Sequence, residues 1–352
     1  MSNLVQCSRI AVIGAGIAGA ACATSLRDAG HQVSLYDKSR GVGGRMATRR
    51  ARLEAGDGSE TLVEFDHGAQ LVTANHPRFR AVLQRAQAAG VVQPWTQRVH
   101  AEFPGGLPRQ GVVATPSMPA LVRHLIGDLP LHTGHAVVQL RRQRKLWQLV
   151  LDDGSTAGPF DQVVLALPPA QAAALLEGQH AVWAQELQAV RMEPCWTLMA
   201  VTADVDWPWD AAVPARGPLA WVARNDRAPG RSAPASCATW VAHATPAWTR
   251  THLEHDAETV QSALLAALAQ QLPGGVLPAL QHAVVHRWRY ARPAGAAPDR
   301  RECWWDASRG LGVCGDFLAG CTVEAAWRSG DELACTLAEA LEHDDHAVAE
   351  TA

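Results

Sequence analysis

Arg9-Ile-Ala-Val-Ile13, then Gly14-Ala-Gly16-Ile-Ala-Gly19, then a helix-like run, then Gln32-Val-Ser-Leu-Tyr36-Asp37: these stretches decide the fold. A buried strand, a glycine turn, a helix and a second strand ending in an acidic residue form the βαβ unit that holds a dinucleotide. Gly14 makes the tight turn, Gly16 lets the backbone approach a pyrophosphate, and Gly19 lets helix and strand pack closely. The helix start, at Ile17 and Ala18, offers N–H groups and the positive end of its dipole to phosphates. Asp37 stands where a carboxylate accepts hydrogen bonds from ribose hydroxyls.

A second glycine cluster follows at once: Lys38-Ser-Arg40-Gly41-Val-Gly43-Gly44-Arg45-Met46. Gly43 and Gly44 permit close backbone approach, and Arg40 and Arg45 answer negative charge. Alone, this stretch reads equally as a solvated loop. Behind Asp37 it resembles the acidic-residue-then-G-G-R element of the FAD-binding amine oxidase superfamily. A third element comes late. Gly312-Val-Cys-Gly315-Asp316 reads as a strand, and Val323-Glu324-Ala325-Ala326 opens the last helix. The resemblance implies that Asp316 contacts the ribityl–phosphate region of FAD and that the helix start lies under the flavin pyrimidine. A helix N-terminus suits the negative charge of a reduced flavin. The three elements span the chain in the superfamily's order.

Length and composition agree. A chain of 352 residues, 48% hydrophobic with a formal charge of −3, is long enough for two globular domains. Nothing in its charge pattern points to nucleic acid or to a membrane surface. No apolar run is long enough to span a bilayer, and no secretory signal is visible. The 8 cysteines are scattered with no CxxC, so neither a zinc site nor a dithiol pair is expected, and reduced thiols suit a cytoplasm. No metal is expected.

The expected fold is α/β, a discontinuous Rossmann-type FAD-binding domain with an inserted antiparallel-sheet-plus-helix substrate domain. Residues 1–72, 105–172 and 295–345 are assigned to the FAD domain, 73–104 and 173–294 to the substrate domain, and 346–352 to a frayed tail. Helices are expected over 78–90, 118–126, 170–176 and 256–272, the last capped by Asp256. A hairpin is expected from His135–Arg141 and Leu146–Leu151, and a buried strand from Asp161–Leu167. Trp196–Thr202 and Ala238–His243 alternate as antiparallel strands.

The likeness narrows further. Asp37–Met46, His67-Gly68-Ala69-Gln70, Trp221–Asn225, Trp240–Thr245 and His286–Pro293 resemble bacterial renalases, from about residue 8 to about 340. Those enzymes oxidise the 1,2- and 1,6-dihydro isomers of NAD(P)H, passing hydride to FAD and then to oxygen, which becomes hydrogen peroxide. The resemblance implies a metabolite-repair oxidase with non-covalent FAD, a dihydronicotinamide dinucleotide as substrate and O2 as partner. It places Gly68, Ala69, Gln70, Val137 and Ala166 with the glycine and C-terminal elements around the flavin. It departs at His67 and Leu71, where the group usually carries Met and an aromatic residue.

Hydride transfer needs a flat pocket more than acid–base groups. His243, Thr245, Trp288 and Gln70 are the candidates for that pocket. His243 reads equally as a hydrogen-bonded strand histidine, and Trp288 as one of 13 tryptophans in a core. Arg289 and Arg292 pair either with phosphates or with surface carboxylates. The rival reading is an amine or polyamine oxidase, many of which use a lysine near flavin N5. The lysines here are Lys38 and Lys145 alone, and neither is placed for that role. A non-enzymatic, redox-responsive flavoprotein is the third reading.

Overall fold

A computed structural model describes residues 7–54, 60–101, 110–295 and 301–349. The chain forms two compact units. The first comprises Met1–Gly44, Val122–Arg191 and Arg292–Ala352, the second Arg45–Leu121 and Met192–Ala291.

The first unit is built on a six-stranded sheet in the order Cys303–Asp306, Leu311–Cys314, Gln162–Leu165, Arg9–Ile13, Gln32–Asp37, Leu131–Thr133. All neighbours run parallel except the first two, which form an antiparallel hairpin. Arg9–Ile13 lies in the middle, with Ile10, Ala11 and Val12 fully buried, which is why it reads as an unbroken apolar run. The helix Ile17–Asp28 follows the glycine turn, and the long helix Val323–Ala349 packs against it. Their backbones touch: a β-carbon on Gly330 would overlap the Ala18 carbonyl. The expected hairpin is present as Val137–Gln143 and Leu146–Leu151, joined by a third strand, Thr156–Phe160.

The second unit carries a sheet in the order Leu280–Pro293, Met192–Ala203, Cys237–Ala244, Leu219–Arg224, Ala211–Val213, Val99–Ala101. Helix Ala257–Ala269 supplies Val260, Leu264 and Leu268 to a core with Leu198, Trp240 and Ala242. Alternate residues of the same strands, Met199, Val201 and Val241, meet Leu53, Val63 and Phe65 of the ribbon Thr48–Glu54/Glu60–Asp66. Period-two alternation thus feeds two separate cores from one sheet.

The α/β class is as expected, and the second sheet is antiparallel through its middle strands, with Val99–Ala101 added parallel to Ala211–Val213 at one edge. Asp256 caps its helix, its carboxylate accepting from Thr259 N at 2.8 Å. The helices expected at 78–90 and 256–272 are shorter, Pro77–Ala88 and Ala257–Ala269. Residues 45–72 and 110–121, expected with the FAD domain, cluster in the second unit, because the Thr48–Asp66 ribbon closes one of that unit's cores. Residues 173–191, expected in the substrate domain, cluster in the first, where helices Pro169–Leu176 and Ala181–Ala189 pack together. The last helix continues to Ala349, through part of the expected frayed tail, while 350–352 and 105–109 lie outside the described residues. Among the described residues no helix is long and apolar enough to cross a membrane.

Candidate functional site

In the first unit, each glycine of the opening motif has a visible reason. Gly14 has φ +109°, and a β-carbon there would overlap the Ala166 carbonyl. At Gly19 a β-carbon would overlap the Gly14 carbonyl and crowd Ala166. At Gly16 a β-carbon would meet nothing within 4 Å. The first two glycines therefore answer to the fold, whereas Gly16 borders open space. No side chain caps the helix that begins there, at Ile17, so its first-turn N–H groups are left to an outside acceptor.

The second glycine cluster is fastened to the first. Gly43 N donates to Ala15 O at 2.9 Å, and Gly16 and Gly43 form a parallel bridge. Asp37 ties the same corner, its carboxylate accepting from Ala15 N at 2.7 Å and from Ser39 N at 2.8 Å. Each oxygen keeps a second lone pair for a ribose hydroxyl. Lys38 and Arg40 are exposed beside it. The bare backbone lip of Gly16 and Gly44, the uncapped helix start and the acidic strand end fit the phosphate and ribose of a dinucleotide such as FAD.

Further along the same unit, Ala166 N donates to Ile13 O, and Val137 is half-buried at the start of its strand. Gly315 N donates to Ser329 Oγ at 2.8 Å, and Asp316 is buried. At the last helix, Thr322 engages two of the four expected amides. Its Oγ1 accepts from Ala325 N at 3.0 Å and its carbonyl from Ala326 N at 3.1 Å. Val323 and Glu324 head that turn.

In the second unit, the strand Glu60–Asp66 ends in a buried anchor and then presents His67. Asp66 accepts from Thr48 Oγ1 at 2.5 Å and from Arg231 Nε at 2.8 Å, with both members of the Arg231 pair almost wholly inaccessible. The His67 carbonyl accepts from His243 Nε2 at 3.1 Å and from Trp288 Nε1 at 3.2 Å. The His67 ring stacks on Trp288, centroids 4.9 Å apart, and meets His286 edge-on at 4.9 Å. Two candidates, His243 and Trp288, are thus brought together by one backbone oxygen.

The imidazoles are held neutral. Burial, with the repulsion that two protonated rings at His67 and His286 would meet, lowers the His67 pKa to about 4. Burial likewise lowers His243 and His286. A carbonyl only accepts, so His243 carries its proton on Nε2 and its Nδ1 holds a lone pair. His67 Nδ1 is buried without a hydrogen-bond partner among the described residues.

Gln70 and Thr245 have structural partners. Gln70 Oε1 accepts from Trp221 Nε1 at 2.6 Å, and Trp221 stands opposite His243 in the sheet. Thr245 Oγ1 caps helix Pro246–Thr251, accepting from Trp248 N at 3.2 Å. Gly68 packs on Arg45, whose carbonyl accepts from Ala69 N at 2.9 Å, and Met46 is buried. Arg289 pairs with Glu254 at 2.7 Å. His286 was not among the candidates. Its signal was the alternation of His282, His286 and Trp288 along Leu280–Pro293.

Comparison with known proteins fits this geometry. The family of NAD(P)-binding Rossmann-like domains matches residues 12–86, and the family of flavin containing amine oxidoreductases matches residues 94–338. Renalase from Mus musculus is 25% identical over 318 residues, 83% of this chain and 87% of that protein. The structure of cyclohexylamine oxidase from Brevibacterium oxydans IH-35A superposes with a TM-score of 0.68 at 12% identity, over 95% of this chain and 99% of that one. Putrescine oxidase bound to putrescine superposes with a TM-score of 0.67 at 16% identity, over 94% and 98%. At such identities the two structures establish the fold alone.

Proposed function

The chain belongs to the flavin containing amine oxidoreductase family, and from that premise we propose that it oxidises 1,2- and 1,6-dihydro-NAD(P) to NAD(P)+. It is an FAD-dependent oxidoreductase, as its family and its renalase relative indicate. When bound, FAD supplies the hydride acceptor, and its reoxidation by O2 releases hydrogen peroxide.

In the first unit, Gly16, Gly43, Gly44 and the amides at Ile17 and Ala18 would hold the pyrophosphate, with Asp37 on the ribose. Arg40, Gly315, Asp316 and Val323 complete the proposed FAD set of this unit.

The observation that carries the substrate assignment is the convergence of His243 and Trp288 on the His67 carbonyl. It fixes a wall of flat, uncharged rings. Among the described residues no carboxylate bonds to His67, His243, His286 or Trp288, so nothing there neutralises a cationic amine. A neutral nicotinamide ring can stack on the indole. His243 Nδ1 can accept from its carboxamide, fixing which ring carbon faces the hydride acceptor. Gln70 and Thr245 act through Trp221 and the Trp248 turn, holding the wall's edges. The eight cysteines, none of them in a disulfide, suit a cytoplasmic enzyme of metabolite repair.

The test is anaerobic, single-turnover flavin bleaching by each dihydro isomer, by ordinary 1,4-NADH and by a panel of amines. Fast bleaching is expected from the 1,2- or 1,6-isomer and slow bleaching from 1,4-NADH. Fast bleaching by an amine, with none by either isomer, would place the enzyme among the amine oxidases.

A further inference from the structure

One arginine beside the ring cluster lacks a counter-ion. Thr48–Glu54 pairs antiparallel with Glu60–Asp66, so its side chains alternate between two faces. On the outer face Arg50 meets Glu64 at 2.7 Å and Arg52 meets Glu60 at 3.1 Å. On the inner face Ala51 and Leu53 join the core with Val63 and Phe65. Arg49 heads that inner row, opposite Phe65, yet it is exposed. No ion pair or hydrogen bond engages its guanidinium among the described residues.

Its surroundings are the cluster already described. Phe65 stacks against His282, with centroids 6.4 Å apart. His282, Val284, His286 and Trp288 share one face of Leu280–Pro293, and Val284 packs on the same core as Phe65. The charge of Arg49 reaches His67, His282 and His286 and helps to lower all three. Two ring nitrogens here, His67 Nδ1 and His282 Nε2, are buried with no hydrogen-bond partner among the described residues. An uncompensated guanidinium beside neutral imidazoles makes a positive field with vacant hydrogen-bonding positions, which suits an anion and repels an amine.

We propose that Arg49 is the anion-binding residue of this face, taking a phosphate of a nucleotide reductant whose planar base lies against His67, His286 and Trp288. The planar base rests on the dihydronicotinamide reading above, whereas the anion site does not depend on it. A guanidinium fork matches phosphate oxygens, and such charge-assisted bonds exceed neutral ones.

Wild-type holoenzyme and its Arg49→Ala and Arg49→Lys variants, with FAD content measured, would be titrated with inorganic pyrophosphate, NAD+ and nicotinamide riboside. Tryptophan fluorescence and flavin absorbance report binding. Arg49→Ala should weaken pyrophosphate and NAD+ by about tenfold or more, Arg49→Lys by less, and neither should change riboside affinity. Absence of pyrophosphate binding to the wild type overturns the proposal. So do equal affinities in all three proteins, or riboside weakened as much as NAD+. Pyrophosphate bound by the wild type and lost in Arg49→Ala, while no dihydronicotinamide bleaches the flavin, would keep the anion site and reject the substrate reading.

Discussion

His67 concentrates the chemistry of the second unit in one residue. Its carbonyl orients His243 and Trp288, and its ring stays neutral because burial removes the water that would solvate an imidazolium. The unfolded chain takes up this proton near 6.5, the folded chain only at about 4. Between these values the unfolded state binds more protons, so stability is full above 6.5 and falls as pH drops toward 4. The span corresponds to roughly 3 kcal/mol. Urea midpoints taken from pH ~7 down to pH ~5 should fall, and His67→Met should flatten part of that slope. His243 and His286, lowered for the same reason, should keep the remainder. An unchanged slope in His67→Met would mean that another group governs it. His243 and Trp288 were visible beforehand as residue types in strand-like segments. Their shared partner was not, because a backbone carbonyl carries no mark in a sequence. Arg49 was hidden for a related reason: it is one of three arginines in four residues, and only the ribbon's register separates the paired from the unpaired.

At the scale of elements, the glycine turn carries two different demands that one pattern conceals. Gly19 is required by packing and Gly16 by nothing in the polypeptide. Gly19→Ala should therefore cost about 1–3 kcal/mol of stability through overpacking. Gly16→Ala should melt like the wild type as apoprotein but purify with less FAD. Circular dichroism melts beside flavin absorbance separate the two, and a destabilised Gly16→Ala apoprotein would contradict the assignment. This βαβ unit was legible because every part lies within thirty residues and answers to short-range rules. The ribbon Thr48–Glu54 was not, because Arg49 at the head of its inner row interrupts the apolar alternation that marks a half-buried strand.

At the scale of the molecule, the cofactor is held by folding rather than by a covalent bond. Acid or heat denaturation should release intact FAD into the supernatant, with the precipitated chain colourless. Added FAD at a hundredfold its dissociation constant should stabilise the protein by about 2.7 kcal/mol, read as a higher melting temperature. Flavin retained on the precipitate, or a melt indifferent to FAD, would refute this. The crossing of the first and last long helices has a further consequence, one for synthesis. Gly330 lies against Ala18, and Leu311–Cys314 completes the sheet that Arg9–Ile13 begins. A ribosome delivers the opening strand and helix first and their partners last. For most of translation the face of the first helix that carries Ala18 and Ser25, which meet Gly330 and Asp331 in the finished protein, lacks its partner. The nascent chain is therefore most exposed to aggregation and to chaperone capture until its final segment emerges.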